Sequence, residues 1–140
     1  MRSLLLPLLF CAALPANALP SHPSAPVAPV DPIFGTWANP KHTLAVKTAP
    51  CGTELCGAIV AATPAALQDA RDAGVAQLIG TELLREYRKT GSDRWSGTVF
   101  IPDMGRSFSS HIVQLSPNTL RISGCLFGGF ICKSQDWTRL

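Results

Sequence analysis

The sequence predicts a mainly β protein: a small closed antiparallel barrel with one short helix and disulfide-stapled hairpins. Three observations carry this reading. Apolar and polar residues alternate through most of the chain after Phe34, the period of a strand with one buried face. Turn-forming clusters interrupt the alternation about every ten residues, the spacing of a sandwich or barrel. Phe34-Gly35-Thr36-Trp37 opens the series and Trp137-Thr138-Arg139 ends it, and in a closed barrel the first and last strands are neighbours.

Ahead of the barrel, residues 1–18 read as a cleaved secretory signal peptide. Arg2 is its positive start, Leu4 to Leu14 its apolar core and Ala16-Asn17-Ala18 a small-x-small cleavage site. That core is shorter than the roughly 20 residues of a spanning helix, so no transmembrane span is expected. Cys11 lies in it and leaves with it. Losing Arg2 takes the formal charge from +3 to +2, spread without a Lys/Arg run, which argues against nucleic acid or an anionic membrane as partner. Residues 19–33 read as a spacer, with prolines at 20, 23, 26, 29 and 32. Three residues make one turn of polyproline II, so these prolines line one edge of an extended rod. Residues 34–140 then form a single barrel domain.

Within it, Thr43 to Lys47 and Leu55 to Ala61 flank Pro50-Cys51-Gly52-Thr53, as a hairpin would. Thr63, Pro64 and Gly74 supply an N-cap hydroxyl, a first-turn proline and a stop around the helix formers Ala65 to Ala73. Leu78 to Tyr87 is ambiguous by itself, but the turn-like Lys89 to Asp93 makes a strand pair the better reading. Trp95, Gly97, Val99 and Ile101 then fall on one face of a strand. Pro102 to Gly105 is a turn, and Phe108 to Leu115, Leu120 to Leu126 and Phe130 to Thr138 complete the series.

Cys51, Cys56, Cys125 and Cys132 survive processing, and an even count in an exported chain points to disulfides. Zinc is the rival, but the six residues between Cys125 and Cys132 fit a metal knuckle poorly. Hairpin spacing favours Cys51 with Cys56 and Cys125 with Cys132. The alternative, one cysteine of the first pair bonded to one of the second, requires the two hairpins to stack side by side.

At the two ends, Gly35, Trp37 and Arg139 are the candidate closure residues, with the Arg139 guanidinium lying over the Trp37 ring. A Gly-x-Trp start with a terminal arginine resembles the lipocalin and calycin barrels. With "CGTELCGAIV", "WSGTVFIPDMGRSFSS" and "LRISGCLFGGFICKSQDWTRL" added in order, the stretch Phe34 to Leu140 resembles the bacterial exported family called domain of unknown function 2147. The most specific pieces are Trp95, Gly97, Pro102 and Gly105 in one hairpin and the Trp-Thr-Arg ending. The resemblance implies a small lipocalin-like barrel in the cell envelope with no assigned activity. The chain departs from the family at Asp69 to Ala73, where an Asp-x-x-Asn-Pro is usual.

No catalytic residue is assigned. The sequence holds no Gly-x-Ser-x-Gly elbow, His-x-x-x-His pair or phosphate-cradling glycine loop. Ser109-Ser110-His111 suggests a nucleophile and base, but strand neighbours point to opposite faces, and Ser109 and His111 on one face stand about 6–7 Å apart. His22 and His42 are too scattered for a metal site, so neither metal nor cofactor is expected. Two function classes remain. One is a binding module whose cup takes a small apolar or amphipathic envelope molecule, lined by Trp95, Val99, Phe108 and Ile112 and lidded by the helix. The other is a structural or interaction module whose filled barrel meets another envelope protein. An enzyme ranks third, on fold-level analogy alone. The expected location is the periplasm of a Gram-negative bacterium, or outside the cell.

Overall fold

A computed structural model describes residues 12–13, 17–26 and 31–140. Of the signal segment only residues 12–13 and 17–18 fall within that range. In the spacer, residues 19–26 are exposed and carry no regular structure, and residues 27–30 lie outside the described range.

Eight antiparallel strands close in sequence order: β1 (Gly35–Ala38), β2 (Leu44–Cys51), β3 (Glu54–Ala62), β4 (Glu82–Gly91), β5 (Arg94–Ile101), β6 (Arg106–Ser116), β7 (Thr119–Leu126) and β8 (Ile131–Arg139). One helix, α1 (Pro64–Asp72), joins β3 to β4. Its start is the expected one, with the Thr63 hydroxyl accepting from Ala66 N and satisfying an otherwise orphaned amide. Among the described residues no helix is long and apolar enough to cross a membrane.

The inward face follows the period-two pattern. Trp95, Val99, Ile112, Leu120 and Ile122 are buried, together with Val46, Leu55, Ile59, Leu84 and Tyr87 from the other wall. The strand β4 departs from simple alternation. Its register shifts against both neighbours, and Glu86 adopts a φ of 54°. Such bulges insert a residue and re-aim the side chains beyond it. As a result Leu83, Leu84 and Tyr87 are all buried although they do not alternate. The helix and the segment after it add Ala70 and Leu78 to the same core.

The lower end of the barrel is closed where β1 meets β8, with Trp37 opposite Arg139 and Ala38 opposite Thr138. The Arg139 guanidinium carbon sits 4.2 Å from the Trp37 ring centroid. Its nitrogens donate to Phe34 O at 3.0 Å and Pro117 O at 2.8 Å, and also to Pro32 O. A Cβ on Gly35 would collide with that guanidinium. Beneath the ring, the Thr48 hydroxyl donates to Ile33 O at 2.6 Å and accepts from Gly35 N and Trp37 Nε1 at 3.0 and 3.2 Å. Ile33, placed in the spacer by sequence, is 1% exposed and part of this seal.

Two disulfides staple two hairpins. Cys51 is bonded to Cys56 with 5.8 Å between Cα atoms, and Cys125 to Cys132 with 4.0 Å. Cys125 and Cys132 stand directly opposite in the β7–β8 register, whereas Cys51 reaches diagonally, since Cys56 pairs with Ala49.

Candidate functional site

Closure at the lower end contrasts with the upper half of β8. β1 has only four residues, so it pairs with β8 at Thr138 and Arg139 alone. From Ile131 to Trp137, among the described residues, β8 is paired with β7 only. This stretch is a seam in the barrel wall. Register places Lys133 opposite Gly124 and Gln135 opposite Ile122, on the inward-facing side, yet both Lys133 and Gln135 are exposed. Ile131 and the adjoining Phe130 are 51% and 91% exposed.

One row of the inner face runs from this seam into the barrel. Gly97 on β5 pairs with Ser110 on β6, Ser110 with Gly124 on β7, and Gly124 with Lys133 on β8. Two of those four positions lack a side chain. The Tyr87 ring fills the space over Gly97, where a Cβ would stand 2.7 Å from Tyr87 Cγ. At Gly124, among the described residues, a Cβ would meet only Val99 Cγ1, at an ordinary 3.4 Å.

Buried in that row are two hydroxyls. Tyr87 is 0% and Ser110 1% exposed. Burial pushes the phenol pKa well up, and the adjacent Ser110 hydroxyl offsets part of that rise. Among the described residues neither oxygen makes a hydrogen bond of good geometry, nor does Gln114 Nε2.

The candidate cavity residues lie around this row. Trp95, Val99 and Ile112 are 4%, 4% and 0% exposed, and Phe108 is partly buried against them. They pair in register, Trp95 with Ile112 and Val99 with Phe108. The deeper interior is occupied by large side chains, notably Trp37, Tyr87, Ile59, Leu84 and Leu120.

On the outer face a cleft of about 400 Å³ lies between β5, β6 and the β7–β8 turn, lined in part by Ser96, Ser109, His111, Gly128, Gly129 and the Cys125–Cys132 bridge. Here His111 Nδ1 lies 2.9 Å from Ser96 Oγ, across the strand pair. Sequence proximity had drawn attention to Ser109 and Ser110 instead. Ser110 faces the interior, and the partner of His111 comes from β5, fifteen residues away. A second groove, about 360 Å³, is walled by Ala38, Leu44, Ala45, Ala61, Ala62 and Leu140 among others. Among the described residues no group of three His, Cys, Asp or Glu side chains is placed to hold a metal ion.

Tyr87, Gly124 and Lys133 were not singled out by sequence, and Ser110 stood out there only as a neighbour of His111. Each is ordinary alone, and only strand register brings them together. The parity of Trp95, Gly97 and Val99 was a partial signal, because an inward glycine leaves space that some neighbour must fill.

Comparison with known proteins locates this architecture. A solved structure, protein HP1028 from the human pathogen Helicobacter pylori, described as belonging to the lipocalin family, aligns with a TM-score of 0.60. Identity is 13%, over 77% of this chain and 82% of that one, so the likeness is one of fold. No curated protein sequence matches the chain. The family model described as "Uncharacterized protein conserved in bacteria (DUF2147)" matches residues 35–139. The span includes both disulfides, all eight strands and the Trp37–Arg139 closure, and the chain belongs to that family.

Proposed function

We propose that this lipocalin-like barrel is an exported envelope protein that binds a small apolar or amphipathic molecule through the seam beside β8. The observation that carries the reading is the exposure of Lys133 and Gln135 at inward register positions, with Phe130 and Ile131 exposed above them. A closed wall would cover inward-facing residues. An exposed apolar pair beside such an opening, flanked by a lysine, suits a molecule with an apolar body and a polar end. Filling of the lower barrel limits the ligand to a small one. Export is supported by the secretory pattern of residues 1–18, the disulfides and the bacterial family. On this reading residues 19–33 hold the barrel away from its surroundings, in the periplasm of a Gram-negative cell or outside it.

A second reading is favoured by the packing: with the lower interior filled, the barrel acts as an interaction module for another envelope protein. One experiment separates the two. The full chain is expressed in a Gram-negative host and recovered from the periplasmic fraction. Its N-terminus is sequenced, and the purified protein is extracted for mass spectrometry. A start at Leu19 and a stoichiometric small lipid or amphiphile support the proposal. Retention in the cytoplasm overturns export, and a protein that stays empty and takes up no added nonane or nonanoate overturns binding in favour of the interaction module.

A further inference from the structure

We infer that the Cys125–Cys132 bridge is an exchangeable disulfide, a reaction site for the dithiol of a thioredoxin-like protein, whereas the Cys51–Cys56 bridge is fixed. This goes beyond the binding reading above and does not depend on it. Disulfides that a thiol can reach are the labile ones, and reach is where the two bridges differ. Cys125 and Cys132 both line the outer cleft of about 400 Å³. Cys51 and Cys56 are half-buried and line neither that cleft nor the groove beside Leu140.

Within the reactive bridge the two sulfurs are unlike. Cys132 is an exposed residue, and Cys125 is 8% exposed. The turn that leads to Cys132 is bare: Gly128 and Gly129 carry no side chain, and among the described residues nothing lies within 4 Å of where a Cβ on either would stand. An incoming thiolate therefore meets Cys132, and Cys125 is the sulfur that leaves. Ser109, opposite Cys125 in the β6–β7 register, and His111 line the same cleft. The departing thiolate thus emerges beside a hydroxyl and an imidazole instead of in an apolar wall.

The exchange balances. One thiolate of the dithiol attacks Cys132 Sγ, the Cys125–Cys132 bond breaks, and its electron pair leaves on Cys125 Sγ, which takes up a proton. The partner's second thiolate then attacks the partner sulfur of the mixed disulfide and releases Cys132 as a thiolate, which is protonated in turn. The dithiol ends as a disulfide, and the barrel holds two thiols. Phe130 and Ile131, 91% and 51% exposed, directly precede Cys132 and give a protein an apolar surface to rest on, for which a small thiol has no use. Opening also loosens the wall: among the described residues Ile131 to Trp137 pairs with β7 only, so one backbone ladder alone then holds this part of β8.

The test mixes the oxidised protein in native buffer with reduced thioredoxin or, separately, with dithiothreitol. Samples are quenched in acid, alkylated with N-ethylmaleimide and peptide-mapped against time. Expected is labelling of Cys125 and Cys132 about tenfold faster than that of Cys51 and Cys56 with either reagent, the contrast of an accessible bond with a shielded one. A thioredoxin lacking its second active-site cysteine should be trapped on Cys132. Phe130→Ser combined with Ile131→Ser should slow the reaction with thioredoxin several-fold relative to that with dithiothreitol. Equal rates at both bridges, earlier opening of Cys51–Cys56, or no labelling short of unfolding in urea overturns the exchangeable bond. Trapping on Cys125 overturns the order of attack. An unchanged thioredoxin rate in the Phe130 and Ile131 double variant overturns the apolar rest. Opening by dithiothreitol and not by thioredoxin overturns the protein dithiol as reactant.

Discussion

Replacing Arg139 by alanine should be among the most damaging single changes at the barrel's edge, although the residue is next to last in the chain. Its guanidinium donates to the carbonyls of Phe34, Pro117 and Pro32 and stacks over Trp37 at 4.2 Å. A hydrogen bond from a charged group is worth about 1.5–3 kcal/mol in a protected setting, and a partly exposed cation–π contact roughly 1 kcal/mol. The site is half-buried, so the lower values apply and not every bond counts in full. Arg139→Ala should therefore cost about 3 kcal/mol. Arg139→Lys should restore about 1–2 kcal/mol, since one ammonium keeps its charge but cannot span three carbonyls with a planar fork. Urea melts of wild type, Arg139→Ala, Trp37→Leu and the double variant isolate the stacking, with a coupling of about 1 kcal/mol expected. A single-variant loss within ~0.5 kcal/mol, the usual range for an unconstrained surface residue, together with coupling near zero, would refute the claim that this contact closes the barrel.

Other consequences follow from the inner row and the outer face. Tyr87→Phe removes a buried hydroxyl without a partner and keeps the ring, so thermal melts of the unliganded protein should show stability unchanged or raised by up to ~1 kcal/mol; a clear loss would reveal a hydrogen bond to Oη. Gly97→Ala places a Cβ 2.7 Å from both Tyr87 Cγ and Arg85 O, and overpacking of this kind should cost about 2–3 kcal/mol by denaturant melts, because one of the two obstacles is backbone. Asp136 is hydrogen-bonded by Arg121 at 2.7 and 2.9 Å, which lowers its pKa, with the charge of Arg121 acting in the same direction. A depressed folded-state pKa contributes stability above the unfolded value and loses it as pH falls through the folded one. Carbonyl-detected titration should thus find Asp136 below the usual carboxylate range in wild type and back within it in Arg121→Ala.

The ends of the domain were legible in the sequence because their chemistry is local and conspicuous. Gly35, Trp37 and Arg139 carry few alternative explanations in a chain that alternates between them, and the Thr63-Pro64 cap marks its helix within a few residues. Hairpin turns with Gly52 and Gly105 were equally readable. The bulges in β4 were not. Glu86 gives no sign of a positive φ, and the bulge follows from the need to bring Leu84 and Tyr87 over Gly57 and Gly97, which lie on other strands. Register is the general obstacle: alternation assigns each residue a face but does not say which residue stands opposite. The link between His111 and Ser96 and the row from Gly97 to Lys133 both depend on it. The length of β1 was hidden for a related reason, since Asn39 ends the strand by turning its side chain back to accept from Thr43 N and Leu44 N.

That short strand ties the two ends of the barrel together physically. Asn39 stops β1 after four residues, so only two β8 positions find a partner across the closure. Backbone ladders elsewhere in the barrel run over three to eight register pairs, and closure with two pairs requires reinforcement by side chains. Arg139 supplies it by bonding carbonyls on both sides of the junction, from Phe34 and Pro32 on one chain end to Pro117 on the turn before β7. The same economy leaves residues 131–137 without a second strand neighbour among the described residues, a row of backbone groups that a longer β1 would have paired. Lys133 and the outward Asp136 lie on that stretch, and charges there oppose edge-to-edge association of two copies. The Cys125–Cys132 bridge fastens its upper end to β7, holding the seam at one width instead of letting β8 peel away. Sealing by Arg139 below and stapling by the disulfide above are thus what hold β8 in place where its outer edge, from Ile131 to Trp137, lacks a β1 partner.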